Sequence, residues 1–102
     1  MPFEYWGYNF DGAYIACSSL KTQQGVYVIW CNDKGSWTVL DVGESENVQD
    51  RTCNHERFTC WQRICPGTIY FSAVYTPGET QQQRRAIERH IRNLSHPPCG
   101  EG

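Results

Sequence analysis

Three segments of the chain are rich in β-branched and aromatic residues, a composition typical of strands in a sheet. They cover residues 26–31, 37–42 and 68–75. The first two are separated by Asn32-Asp33-Lys34-Gly35, whose residue types favour a tight turn. We therefore predict a hairpin and, later in the chain, a third strand.

Side chains alternate between the two faces of a sheet along each strand. Tyr27 and Ile29 should therefore share one face of the first strand. Trp37, Val39 and Asp41 should likewise share one face of the second strand. A reasonable register of the hairpin puts Tyr27 and Asp41 on the same side of the sheet.

A first helix is predicted over about residues 46–57, after the second strand. Gly43 is expected to break that strand, and Ser45 or Asn47 can cap the start of the helix. Arg51 and His55 are spaced i and i+4, so they should project from one helical face.

A second helix is predicted over about residues 81–94. Thr80-x-x-Gln83 has the pattern of a capping box. Apolar residues recur with helical spacing, and Pro97-Pro98 would end the helix. The predicted apolar stripe consists of Ile87, Ile91 and Leu94.

The order hairpin, helix, strand, helix predicts an α+β fold with a small three-stranded antiparallel sheet flanked by helices. This domain would span residues 25–98. Residues 1–24 mix aromatic residues and glycine without a clear period, and we predict an N-terminal arm that packs aromatic side chains onto the core. Residues 99–102 would form a C-terminal tail.

Length and charge limit the classes of protein to consider. A chain of 102 residues predicts one domain. No run approaches the roughly 18 apolar residues of a membrane span, and no signal peptide is visible, so we expect a cytoplasmic protein without membrane contact. The net charge of −2 is uneven, with seven acids and two bases in residues 1–50 but four acids and seven bases in residues 51–102. The second half is the better candidate for phosphate contact, although a solvated Arg-rich helix face would give the same pattern.

Six cysteines are many for this length. An even number suggests disulfides if the protein is secreted, but without an export signal we expect reduced thiols that pack as small apolar residues. One stretch, Cys53-x-His55 followed by Cys60 and Cys65, is too irregular for a structural zinc site, so zinc is not expected. The cysteines are Cys17, Cys31, Cys53, Cys60, Cys65 and Cys99.

Several short motifs, taken in order, resemble the GIY-YIG nuclease family. Gly25-Val26-Tyr27 matches the first motif, and Val42-Gly43-Glu44-Ser45 matches the end of the second with the residues that follow it. Arg51 stands where the family places an Arg in its first helix, and His55 where many members have a His. Glu88 stands at the metal-binding Glu of a later helix.

The resemblance covers about residues 25–98 and implies an endonuclease that hydrolyses DNA phosphodiesters with one divalent metal, Mg²⁺ or Mn²⁺. Tyr27 would activate the attacking water or pass on its proton, and Arg51 would hold the scissile phosphate. His55 would assist proton transfer, and Glu88 would bind the metal. An Arg suits this task because it contacts phosphate with two parallel hydrogen bonds and stays charged.

Asp41 departs from the family pattern because it stands where the second tyrosine belongs. An ionised carboxylate cannot donate a hydrogen bond and repels phosphate. It could instead become a second metal ligand beside Glu88, since hard divalent ions favour carboxylates. Gly43, Ser45 and Arg84 are further expected substrate contacts.

Each candidate residue also has a structural interpretation. Tyr27 could be a core aromatic residue, and His55 could have only a structural or surface role. Arg51 could pair with Asp50 or Glu46, and Glu88 could pair with Arg84 and Arg92 along its helix. One alternative to a nuclease is a module of the same fold that has lost its chemistry and binds nucleic acid or a protein partner, a second copy of the chain included. Another is a structural domain that its cysteines stabilise through zinc or disulfides.

Overall fold

A computed structural model describes residues 2–100 as a five-stranded antiparallel sheet with three α-helices and one short 3-10 helix. The strand order is β1-β2-β5-β3-β4, which places β3 and β5 inside the sheet and β4 at one edge. The strands are β1 (Pro2–Tyr5), β2 (Tyr8–Tyr14), β3 (Gly25–Asp33), β4 (Ser36–Ser45) and β5 (Thr68–Tyr75). The helices are α1 (Val48–Cys53), α2 (Phe58–Ile64) and α3 (Gln81–Ser95), and the 3-10 helix is Cys17–Ser19.

The predicted α+β class agrees with this architecture, but the three-stranded sheet was wrong. The three predicted strands form β3, β4 and β5, and the segment predicted as an arm adds β1 and β2 to the sheet. These two strands pair through a tight turn at Trp6-Gly7, where both residues have positive φ (50° and 82°). The aromatic residues at every second position of this segment therefore share one face of a hairpin.

A β-bulge at Leu40 changes which residues of β4 share a face. Trp30 pairs with Val39 and Ile29 pairs with Asp41, so one residue is left over in β4. Val39 therefore lies on the face opposite to Asp41, and the predicted common face was wrong. The prediction that Tyr27 and Asp41 lie on the same side is confirmed, because Asp41 pairs with the residue two positions after Tyr27.

The sheet has a hydrophobic cluster on each side. Tyr27, Ile29 and Trp61 belong to the cluster on the side covered by α1 and α2, which we call the Tyr27 face. Val28 and Ile91 belong to the cluster on the side covered by α3, which we call the α3 face. The fully buried β3 residues of both clusters explain why residues 26–31 read as an uninterrupted apolar run.

The helix ends follow the capping residues, with one exception. Asn47 caps α1 by accepting from the Asp50 N–H, and both halves of the predicted capping box of α3 are formed. However, α1 ends at Cys53, so His55 lies beyond the helix and the prediction that it shares a helical face with Arg51 was wrong. Leu94 is 50% exposed, so it does not join the buried stripe of α3.

All six cysteines are paired, so the expectation of reduced thiols was wrong. The pairs are Cys17–Cys53, Cys31–Cys65 and Cys60–Cys99. Sequence separations of 36, 34 and 39 residues give each bond up to about 4 kcal/mol of stabilisation by restricting the unfolded chain. Disulfides persist in oxidising compartments, which weighs against the predicted cytoplasmic location.

Cys99, which we predicted in a tail, is buried and donates its backbone N–H to the Leu40 carbonyl at 3.0 Å, so this segment is fixed to β4.

Within residues 2–100, no helix is both long and apolar enough to cross a membrane.

Candidate functional site

Tyr27 lies in the middle of the Tyr27 face and its ring crosses β4 at Gly43. Tyr27 is 1% exposed, and a Cβ atom at Gly43 would lie 2.1 Å from its hydroxyl oxygen. No other residue type leaves room for the ring at this position. Gly43 therefore lies inside β4, which continues to Ser45, and the prediction that it breaks the strand was wrong.

The Tyr27 hydroxyl is hydrogen-bonded to Nε2 of His55 at 2.7 Å. The other ring nitrogen of His55, Nδ1, accepts the backbone N–H of Arg57 at 3.0 Å. A neutral imidazole carries one proton, so the network assigns that proton to Nε2, which donates to the Tyr27 oxygen. The hydroxyl proton of Tyr27 is then directed away from His55.

Burial shifts the pKa of both members of this pair. Desolvation lowers the pKa of His55 to about 4, and the Arg51 and Arg57 charges act in the same direction. Desolvation also raises the pKa of Tyr27 to about 12, although the charge of Arg51 opposes the shift. At neutral pH the pair therefore consists of a neutral phenol and a neutral imidazole.

Arg51 lies beside Tyr27 and is held by an ion pair with Glu56. Two parallel hydrogen bonds join the guanidinium to the carboxylate, Nη1 to Oε2 at 2.5 Å and Nη2 to Oε1 at 2.8 Å. This contact raises the pKa of Arg51 and lowers that of Glu56 to about 2. The Arg51 and Glu56 side chains are 33% and 63% exposed, so this pair is the solvent-facing part of the site.

Asp41 is fully buried and accepts five hydrogen bonds. Oδ1 accepts from the Val42 N–H at 2.8 Å and from Nη2 of Arg92 and of Arg57 at 2.9 and 3.1 Å. Oδ2 accepts from Nε of Arg57 at 2.6 Å and from the Trp61 indole N–H at 2.8 Å. Both oxygens are thus saturated by protein donors, an arrangement that argues against the predicted metal-ligand role and makes Asp41 an anchor for two guanidinium groups.

Glu88 reaches the same region from α3. Its Oε2 atom accepts from Nε of Arg92 at 3.2 Å, and the side chain is 25% exposed. Its charge is close enough to raise the pKa of Tyr27, as is the charge of Asp41. The second oxygen, Oε1, has no hydrogen-bond partner within residues 2–100 and is the free acceptor of the site.

The expected substrate contacts Ser45 and Arg84 do not join this group. The Ser45 hydroxyl accepts the Asn47 N–H at 3.0 Å and helps to form the turn before α1. Arg84 is 3% exposed and donates to Glu44 at 2.9 Å, so it serves the packing of α3 against β4. Gly43 is buried beneath the Tyr27 ring.

Four residues of the site have contacts that sequence reasoning missed, although Arg92 was expected as a helical partner of Glu88. Glu56 holds Arg51, Arg57 fixes His55 through its backbone N–H, and Arg92 links Glu88 to Asp41. A signal was present in His55-Glu56-Arg57, three consecutive polar residues after a helix end. The fourth residue is Trp61.

No protein-family model, curated protein or solved structure matches the chain. The resemblance to the GIY-YIG nucleases therefore rests on the residues quoted above. Within residues 2–100 there is also no group of three or more His, Cys, Asp or Glu side chains arranged to hold a metal ion.

Proposed function

We propose that the protein hydrolyses phosphodiester bonds in DNA, with Tyr27, Arg51 and Glu88 as the catalytic side chains and His55 as the residue that positions Tyr27. The observation that carries this proposal is their convergence. The His55 ring contacts the Tyr27 hydroxyl at 2.7 Å, and the charges of Arg51 and Glu88 both act on the pKa of the same phenol. They come from β3, α1, the segment after α1, and α3, so the fold gathers them from positions as far apart as 27 and 88.

The proposed chemistry begins when a substrate phosphate replaces Glu56 on Arg51. Arg51 then neutralises charge that develops on the phosphate oxygens. Tyr27 gives its hydroxyl proton to a solvent water and, as a phenolate stabilised by the Nε2–H of His55 and by Arg51, accepts a proton from the attacking water, while the leaving oxygen takes up a proton from solvent. The water oxygen forms a bond to phosphorus while the bond to the leaving oxygen breaks. In this scheme His55 is a positioning residue, because its proton stays on Nε2.

A divalent metal fits the scheme at Glu88, which would hold it by its free Oε1 atom. Mg²⁺ in such sites is commonly bound by one or two carboxylates together with substrate phosphates and water. When bound, the metal would supply positive charge for the leaving oxygen. Asp41 is left out of this role because its oxygens are occupied by five donors.

Nicking of supercoiled plasmid by the oxidised protein, with Mg²⁺ or Mn²⁺, tests the proposal. Cleavage should be lost in Tyr27→Phe, which removes only the hydroxyl, and in Glu88→Gln. Arg51→Ala should lose activity while Arg63→Ala, the same charge change at an exposed position of α2, keeps it. Plasmid left intact by the wild-type protein at every metal and pH tried would end the proposal.

A second function, binding of nucleic acid without cleavage, is favoured by the 1% exposure of Tyr27 and by the pairing of Arg51 and Arg57 with carboxylates. Under this alternative, DNA binds with an affinity that falls steeply with salt and does not require Glu88. Retention of a labelled duplex by Tyr27→Phe and Glu88→Gln, with no cleavage by any variant, would select this function.

A further inference from the structure

A second concave surface lies on the α3 face, at the end of the sheet that α3 does not cover. Ile91 of α3 packs with Val26, Val28 and Val42, and beyond them the face becomes aromatic. A cavity of about 580 Å³ opens there, within the size range of ligand pockets. Its aromatic lining consists of Phe3, Tyr5, Trp30, Trp37 and Tyr70.

The base of this aromatic pocket is a tryptophan held in one orientation. The Trp30 indole N–H donates to the Ser72 hydroxyl at 2.8 Å, and that hydroxyl donates to the Val28 carbonyl at 2.9 Å. On one side the ring stacks on Trp6 with centroids 5.5 Å apart and planes inclined by 10°. Trp30 is only 7% exposed, so the surface it offers to a ligand is preorganised.

The walls of the pocket are aromatic rings that face solvent. Trp37 and Tyr5 are 48% and 49% exposed, although a ring of this size is normally buried. The ring centroids of Trp37 and Tyr70 are 4.8 Å apart, and the ring planes of Trp37 and Trp30 are inclined by 85°. The rings of Trp30 and Trp37 therefore form a corner. Such a corner offers ring faces in two directions to one bound molecule.

The pocket combines an uncharged lining with a few polar groups. Within residues 2–100, no charged side chain lines it. Three polar groups of its lining residues have no protein hydrogen-bond partner among the described residues: the hydroxyls of Tyr5 and Tyr70 and the indole N–H of Trp37. A ligand that complements this surface needs apolar faces for the rings, hydroxyl-type groups for the three polar groups, and no net charge.

From this surface we propose that the aromatic pocket binds a short, uncharged oligosaccharide. A pyranose ring presents C–H groups on its faces and hydroxyls on its edge, which matches aromatic walls that carry a few polar groups. A nucleic-acid strand fits less well, because it carries one phosphate per nucleotide and draws its affinity from cationic side chains, none of which lines the pocket among residues 2–100. The pocket is separate from the Tyr27 site, so the proposal does not depend on the nuclease activity.

Titration of ¹⁵N-labelled oxidised protein with neutral hexasaccharides tests the proposal, using cello-, chito-, xylo-, laminari- and mannohexaose in turn. The indole N–H signal of Trp37 should shift and saturate with at least one of them. The Trp61 indole signal is an internal control, since Trp61 is buried on the Tyr27 face and should not move. Trp37→Ala should weaken binding at least about tenfold, and Trp37→Phe should weaken it less because a ring remains.

Phe58→Ala serves as the matched control, since Phe58 is 43% exposed on α2, and it should bind like the wild type.

Three results would overturn the proposal. The Trp37 signal could be unmoved by the whole panel, or an octathymidylate could occupy the pocket more tightly than any sugar. The same signals could also move with protein concentration alone, which would make the pocket a contact between copies of the chain.

Discussion

The Tyr27 hydroxyl oxygen accepts a hydrogen bond from Nε2 of His55, and the backbone N–H of Arg57 fixes which ring nitrogen carries the proton. This arrangement distinguishes two roles that the histidine of a Tyr–His pair could have in catalysis, accepting a proton from the tyrosine or donating a hydrogen bond to it. A histidine that removes a proton from tyrosine must offer it a lone pair, whereas His55 offers it a proton. The tyrosine is therefore the group that changes its protonation state, and His55 stabilises the oxygen when it does.

His55→Gln should retain part of the activity, whereas His55→Ala should lose it, because only a glutamine amide can replace the donated hydrogen bond. The loss for the alanine variant is expected to be about 10²-fold or more in kcat, with little change in KM. Kinetics on a supercoiled plasmid would measure it. Equal loss in both variants, at unchanged folding, would show that proton transfer through His55 is required.

Glu56→Gln should tighten binding of DNA and of free phosphate to the site. Glu56 occupies the guanidinium fork of Arg51 that a phosphate would need, and both side chains are solvent-facing, so the pair itself contributes little, about 0–1 kcal/mol. Affinity should rise about threefold to tenfold in a fluorescence titration with labelled duplex at fixed salt.

Glu46→Gln is the matched control for that titration, since Glu46 is exposed and the charge change is the same. A gain of equal size in both variants would mean that only net charge matters and that Glu56 does not compete for Arg51.

Asp41→Asn should destabilise the fold by about 3–5 kcal/mol, because it leaves the buried guanidinium of Arg92 and the partly buried one of Arg57 without their counter-charge. Urea unfolding of the oxidised protein would measure the change. The loss should be the same with Mg²⁺ and with EDTA. A loss seen only when metal is present would restore the metal-ligand role that we predicted for Asp41.

Reduction of the disulfides should lower the free energy of unfolding by several kcal/mol, since each closes a loop of more than 30 residues. The double variant Cys60→Ser, Cys99→Ser isolates the bond that fixes the chain end to α2, and about 2–4 kcal/mol is expected for it alone. Urea unfolding monitored by far-UV circular dichroism would compare the two with the oxidised wild type. Unchanged stability after full reduction would contradict this prediction.

Local patterns predicted the elements near the candidate site, but not the contacts that shape it. The apolar run of β3, the Lys34-Gly35 turn and the capping box of α3 depend on neighbours in sequence, and all three are formed. The bulge at Leu40 has no signal in the local sequence, because it depends on how β4 pairs with β3. One extra residue there moves Asp41 to the opposite face from Val39, into contact with groups from α2 and α3.

The failure to predict the β1–β2 hairpin has a different cause. The residues of one face do alternate, with Phe3 and Tyr5 before the turn and Tyr8 and Phe10 after it, but Trp6-Gly7 interrupts the period. Likewise the ion pair of Arg51 was predicted with its helical neighbours, yet it forms with Glu56, since α1 ends at Cys53 and the chain turns back.

Stability should depend on pH between about 4.5 and 6.5 through His55. Its pKa is about 4 in the folded protein, against about 6.5 when unfolded, so the unfolded chain binds more protons in this interval. The free energy of unfolding should therefore rise with pH across this interval. The contribution of His55, about 1–3 kcal/mol, should be fully present above pH 6.5 and be lost on acidification. Glu56 has its pKa lowered to about 2 and loses its share mostly below this interval. Urea unfolding at half-unit steps of pH would measure the slope, and His55→Gln, which cannot titrate, should flatten it. A wild-type slope that persists in His55→Gln would assign the effect to other groups and remove the neutral His55–Tyr27 pair from the account of the site.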